Sequence, residues 1–145
     1  MAASERSGIP ALSGLIRLGA NGRDKTRRLT SELLQLSNRP TAIIASDSVI
    51  ALEVFKMIRE ANLSLPEDIS LITFHDADWT SVTTPPITVI DQPVYRLGEQ
   101  VAKLLVARLK GSLEPPRHLI VPAALVERHS VADRSAPSGE AKSGS

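Results

Sequence analysis

The 145-residue chain contains no cysteine, which removes disulfide frameworks and thiolate metal sites and fits a reducing compartment. It has no dominant charge. Seventeen Lys and Arg stand against 16 Asp and Glu, and the net charge of +1 leaves no electrostatic footprint for nucleic acid or an anionic membrane. The N-terminus MAASERSGIPALSG lacks the basic region and apolar run of a leader peptide. No segment approaches the ~20 apolar residues that a membrane span requires, so a cytoplasmic protein is expected. Three histidines, at 75, 118 and 129, have no metal-ligand spacing. Neither a glycine-rich dinucleotide or phosphate loop nor a G-x-S-x-G elbow occurs. No cofactor is implied.

What remains suits one soluble α/β domain: 42% hydrophobic residues and a mean hydropathy near zero. Residues 1–14 and 133–145 are small and polar and are expected to lack order, which leaves 15–132 as the folded part. LIRLG reads as a short strand. An Asn-Gly turn follows, then a helix from Asp24 to Leu36 with Lys25, Arg27 and Arg28 on its solvated face. TAIIAS reads as a buried strand. The next helix is capped by Ser46, Asp47 or Ser48 and is apolar on more than one side; Asn62 suits a left-handed end. ISLITF is a second buried strand. Two nearly continuously apolar strands flanking a helix indicate a parallel sheet covered on both faces. TTPPITVIDQP reads as an extended crossing segment, because of its prolines. VYRLGEQVAKLLVARLKG is an amphipathic helix with a Leu97, Val101, Leu104, Leu105 and Leu109 stripe, and HLIVPAALVERHSV forms one or two last strands.

Ligands of open α/β sheets sit beyond the carboxyl ends of the strands. Three such ends are polar: Ser46, Asp47 and Ser48; His75, Asp76 and Asp78; and Glu127 to Ser130. The carboxylates could accept from sugar hydroxyls, Arg128 could pair with an anionic or carbonyl group, and Trp79 could stack on a sugar face. The plainer readings are a helix cap for Asp47, turn residues for Asp76 and Asp78, a core or interface filler for Trp79, and an ion pair for Arg128. A hydrolase built on His75 and Asp76 is the catalytic alternative, and it has no supporting motif.

The order of motifs, RPTAIIASDSVIALEVF, then LPEDISLITFHDADW, PPITVIDQP and LVERHS, resembles the C-terminal part of the effector-binding region of LacI/GalR-type transcriptional repressors. The resemblance covers most of residues 15–131. It implies a parallel-sheet lobe of a periplasmic-binding-protein-like (type I) fold, incomplete, with the first lobe and the helix-turn-helix absent. It also implies a sugar or related polyhydroxylated effector, no enzymatic activity, and DNA contact only through the missing helix-turn-helix. Carried over by position, Asp47, His75, Asp76 and Arg128 face effector, while Leu52, Phe55, Val82 and Thr83 form a homodimer surface. A periplasmic-type solute-binding protein is the alternative of the same fold. The chain departs from the family's glycines at Glu53, Asn62 and Thr73, and has His75 where an aspartate is usual. In the family the helix after QP packs in the first lobe. Its five stripe residues, at roughly 1.5 to 3 kcal/mol each, represent on the order of 10 kcal/mol of burial that another partner must supply.

Overall fold

The computed structural model describes residues 13–18 and 22–134, together with Arg6 and Gly8. Most of the two segments expected to lack order lies outside the described residues. At the near end of the tail, Arg134 donates to the Glu67 carbonyl at 2.7 Å. A single 3-10 turn, Ser13–Leu15, is followed by α1 (Arg23–Leu34), β1 (Ala42–Ala45), α2 (Ser48–Glu60), β2 (Ser70–Phe74), α3 (Asp78–Val82), β3 (Thr88–Asp91), α4 (Val94–Leu109) and β4 (Ala124–Val126). The sheet order is β1-β2-β3-β4. β1, β2 and β3 run parallel, with Ala45 opposite Thr73 and Phe74 opposite Ile90, and β4 closes the sheet antiparallel to β3.

The apolar runs read as strands become β1 and β2; β2 is buried as expected, whereas β1 is not, since only Ala45 is buried and Ile44 is 67% exposed at the edge of the sheet. Ile69, Leu71, Ile87 and Val89 are fully buried and pack with Val54 and Ile58 of α2 and with Leu65. Asn62 takes the left-handed conformation expected of it, with φ 56°. Helices α1 and α2 are joined by charge as well as by packing. The Glu53 side chain is only 6% exposed and lies against Lys56 Nζ at 2.8 Å, Arg23 Nε at 3.2 Å and Arg27 Nη1 at 3.7 Å. The Lys56 hydrogen bond, supported by the charges of Lys56, Arg23 and Arg27, holds the Glu53 carboxyl below the usual range, against the opposing effect of burial. Arg27 also donates to Glu60 at 2.6 Å. It is therefore a bridge between the two helices, whereas Lys25 and Arg28 are exposed as expected.

Two expectations need correction, and two that stood open are narrowed. LIRLG is not a strand over its described part: Leu15 ends the 3-10 turn, Ile16 and Leu18 are 50% and 82% exposed, and no strand pairs with the outer edge of β1 among the described residues. TVID is an interior strand, with β2 on one side and β4 on the other. Its prolines, Pro85 and Pro86, stop before Thr88 and so remove no ladder hydrogen bond. The closing segment forms one three-residue strand, since residues 112–123 have no regular structure. Neither serine caps α2; Asp47 does, accepting from the amides of Val49 at 2.9 Å and Ile50 at 2.8 Å. The amphipathic helix forms as α4 with no buried residue. Its apolar stripe, Leu97 at 37% to Leu109 at 79% exposed, finds no cover among the described residues.

Candidate functional site

The parallel register sets the ends of β1, β2 and β3 side by side at one edge of the sheet. Asp47 stands two residues beyond Ala45, and His75 two residues beyond Thr73, its partner on β2. Asp91 closes β3, next to the strand end that carries His75. Two of the anticipated residues, Asp47 and His75, therefore share this edge with exposed side chains. Asp47 spends Oδ1 on the α2 cap.

His75 is one of two non-glycine residues with positive φ among the described residues, at 71°. This left-handed geometry is uncommon for a residue with a side chain and costs on the order of 1 kcal/mol. It is fixed by the backbone: the His75 amide donates to the Ile90 carbonyl at 3.0 Å, and its own carbonyl accepts from Ala77 at 3.2 Å. The imidazole is left at the surface on a peptide locked to the neighbouring strand.

Asp76 and Arg128 are also brought together, and they face each other. Arg128 forms a two-pronged pair with the carboxylate, Nη1 to Oδ1 at 2.8 Å and Nη2 to Oδ2 at 2.6 Å. Nη1 also reaches the Thr80 hydroxyl at 3.0 Å and the Ile87 carbonyl at 2.9 Å. Thr80, fully buried, sets its Oγ1 2.7 Å from Asp76 Oδ1. The Arg128 bonds, then the Thr80 bond, hold the Asp76 carboxyl below the ordinary aspartate range. The same pair raises Arg128, with a smaller contribution from the charge of Asp91. A carboxylate engaged on both oxygens by a guanidinium is a poor proton acceptor, which weighs against acid–base chemistry by His75 and Asp76.

Around this pair the closing motif is stitched into the sheet. Ser130, fully buried, donates to the Leu71 carbonyl at 2.6 Å and accepts from the Thr88 amide at 2.8 Å. The Leu71 amide donates to the Ser130 carbonyl at 2.9 Å, and the Arg128 amide to the Thr88 hydroxyl at 2.9 Å. The LVERHS segment thus clasps β2 to β3. Thr80, Thr88 and Ser130 were not singled out in the sequence for this role. The one local signal was the four-residue spacing from Asp76 to Thr80. Asp91 escapes sequence reasoning because its segment has the prolines of a crossing segment and so offers no strand end.

On the opposite flank, Phe55 of α2 and Trp79 of α3 pack with ring centroids 6.2 Å apart at 43°. Both are half-buried against the core. Leu52 is half-buried beside them in sequence, and Val82 is 79% exposed at the end of α3. The Thr83 hydroxyl donates within its own loop, to the Pro85 carbonyl at 3.0 Å. A cavity of about 430 Å³ lies along the outer edge of β1 and reaches Ser46 and Asp47; His75, Asp76 and Arg128 do not line it. No group of three or more potential metal ligands occurs among the described residues, and no helix of the described residues is long and apolar enough to cross a membrane.

Residues 2–131 match the family of periplasmic binding protein-like domains. A relative named "Probable opine utilization operon repressor", from Rhizobium rhizogenes, is 52% identical over 99 residues, 68% of this chain and 50% of that protein. Among solved structures, a LacI transcriptional regulator from Bacillus cereus subsp. cytotoxis superposes with a TM-score of 0.84 at 27% identity, over 90% of this chain and 46% of the other. The transcriptional regulator CelR in complex with cellobiose superposes with a TM-score of 0.81 at 26% identity, over 89% and 39%. The chain spans about half the length of the first of these relatives. With its parallel sheet, polar strand ends and repressor relatives, the chain belongs to the periplasmic binding protein-like domains of LacI-family transcriptional regulators.

Proposed function

We propose that this chain is the effector-binding and dimerisation part of a LacI-type regulator that works in the cytoplasm, binds its ligand without transforming it, and reaches DNA only through a helix-turn-helix part of the whole regulator. The observation that carries the reading is the pair of exposed side chains, Asp47 and His75, at neighbouring ends of parallel strands. Asp76 and Arg128 are the rigid support beneath them, because each saturates the other. The effector is a sugar or a related polyhydroxylated metabolite. The cellobiose bound by the CelR structure supports this class, and the opine relative brings opines into it. The half-buried Phe55–Trp79 pair and the exposed Val82 support a homodimer through α2 and the loop after α3.

The test is a thermal-shift screen of sugars, polyols, nucleosides and opines. A ligand at 100 times its Kd stabilises the folded state by about 2.7 kcal/mol. His75→Ala, at an exposed side chain, should abolish the shift with little change in the unliganded melting temperature. A panel in which nothing shifts the wild-type chain, or a shift that survives His75→Ala and Asp47→Ala together, would sink the assignment of this edge.

A further inference from the structure

The register of β1, β2 and β3 extends one row beyond the buried sheet. Ala45, Thr73 and Val89 stand opposite one another on the three strands and are buried. Two residues further along each chain segment come Asp47, His75 and Asp91. Neighbouring strands lie about 4.8 Å apart, so this row spans about 10 Å, with the imidazole residue between two aspartates. That separation keeps the two carboxylates from sharing a metal ion, whose oxygen ligands sit about 2.3 to 2.6 Å from it. Each carboxylate is balanced on its own or not at all.

The two differ in what balances them. Asp47 accepts from two amides at the start of α2, Val49 at 2.9 Å and Ile50 at 2.8 Å. Asp91 has no such help. Among the described residues it is the one carboxylate that is not fully exposed and yet takes part in no hydrogen bond or ion pair. Its charge is felt by Arg128, but the bonds of that guanidinium go to Asp76, Thr80 and Ile87. One guanidinium thus serves one of two carboxylates, and the negative charge of Asp91 is surplus. A neutral group laid over Asp91 strips water from an ion and returns nothing, which is costly. A protonated amine in the same place supplies both the opposite charge and N–H donors. The residue that attracts a cationic ligand therefore also rejects its neutral counterpart.

We propose that Asp91 selects the charge of the ligand, and that the metabolite bound at this edge is an amino polyol, with a protonated amine on Asp91 and hydroxyls on Asp47 and His75. This rests on the reading of the strand ends as the ligand edge. It adds the class of ligand, cationic where a simple sugar is neutral.

The experiment titrates the isotope-labelled full chain with glucamine and with glucitol at neutral pH and follows amide chemical shifts. The two probes differ only in an ammonium in place of one hydroxyl. Glucamine should bind about tenfold or more tighter than glucitol, and the isosteric Asp91→Asn should bring the two dissociation constants together. An aspartate that served only the structure would weaken both probes alike and leave their ratio as it was. Equal affinities in the unsubstituted chain, no binding of glucamine, or a preference that survives Asp91→Asn would overturn the proposal. His75→Ala separates this inference from the reading beneath it. Loss of binding in His75→Ala together with equal wild-type affinities would sink the amine alone, whereas a glucamine preference indifferent to His75→Ala would sink the shared edge and with it the proposal. Should Asp91→Asn unfold, N-acetylglucamine decides with the unsubstituted chain: the hydroxyls remain and the charge is gone, so binding as tight as that of glucamine would overturn the proposal.

Discussion

Replacing Arg128 with leucine removes, in one step, both bonds to the Asp76 carboxylate, the contact with the Thr80 hydroxyl and the bond to the Ile87 carbonyl. Charge-assisted hydrogen bonds contribute roughly 1.5 to 3 kcal/mol each to stability. The two side chains are 17% and 30% exposed, so the Asp76 left behind is partly rehydrated and the lower end of that range applies. The expected loss is about 3 kcal/mol for Arg128→Leu and about 2 kcal/mol for Asp76→Asn. In urea unfolding, with a slope near 2 kcal/mol per molar, Arg128→Leu should lower the midpoint by about 1.5 M. The double substitution Arg128→Leu with Asp76→Asn should cost little more than Arg128→Leu alone, a coupling of about 2 kcal/mol. Single losses that add within about 0.5 kcal/mol would mean that the pair does not act as a unit. The pair also sets a pH dependence. Asp76 is held below its unfolded value by Arg128 and Thr80, so on acidification the unfolded chain takes up the proton first. The stabilisation is complete above the unfolded value, about 3.9, and is lost as pH falls through the lower folded value. Arg128→Leu should flatten this part of the acid profile.

Further outcomes are expected elsewhere. Ser130→Ala leaves the buried Leu71 carbonyl and Thr88 amide without their partner and should cost about 3 kcal/mol by urea denaturation, while Ser130→Thr, if it fits, recovers part of it. Glu53→Gln should reduce stability above about pH 5 and weaken the acid dependence, because the Lys56 bond and the charges of Lys56, Arg23 and Arg27 keep that carboxyl ionised in the folded chain; a titration profile identical to wild type would dismiss the network. Val82→Asp, at a 79% exposed position, should convert the proposed dimer to monomer in sedimentation velocity without lowering the melting temperature, and a dimer that persists would move the interface elsewhere. His75→Gly releases the positive-φ cost of about 1 kcal/mol, partly offset by backbone entropy. Its stability should equal or slightly exceed wild type while the ligand shift disappears.

The elements legible in the sequence were those whose burial is written in periodicity. AIIA is continuously apolar and SLITF nearly so, and the α2 and α4 stripes follow the helical repeat. At TVID the nearness of proline argues against a strand, whereas what matters in a ladder is which N–H is lost, and Pro85 and Pro86 lie outside the paired residues. LIRLG carries a strand's composition, yet pairing depends on a neighbour at the β1 edge, and composition does not contain neighbours. At the site, Asp47, His75, Asp76 and Arg128 were identifiable as polar residues at strand ends, but their division of labour was not. Whether Arg128 meets a ligand or Asp76 is settled across 52 residues of chain, and no local spacing records it. The plain expectations of a helix cap for Asp47 and an ion pair for Arg128 describe the observed geometry.

Consecutive residues His75 and Asp76 consequently live under different constraints. The His75 peptide is held by Ile90 whatever side chain it bears, so exchanging that side chain alters chemistry at the sheet edge without disturbing the scaffold, provided the newcomer tolerates left-handed backbone. Asp76 has no such freedom, since Arg128, Thr80 and through them β3 depend on it. With His75 as the proposed ligand contact, a lineage of regulators built this way can wander in what it senses while staying fixed in how it folds, and the boundary between the two kinds of change falls on a single peptide bond. Saturation mutagenesis would locate it directly, with folded variants abundant at residue 75, scarce for β-branched side chains there, and nearly absent at residue 76.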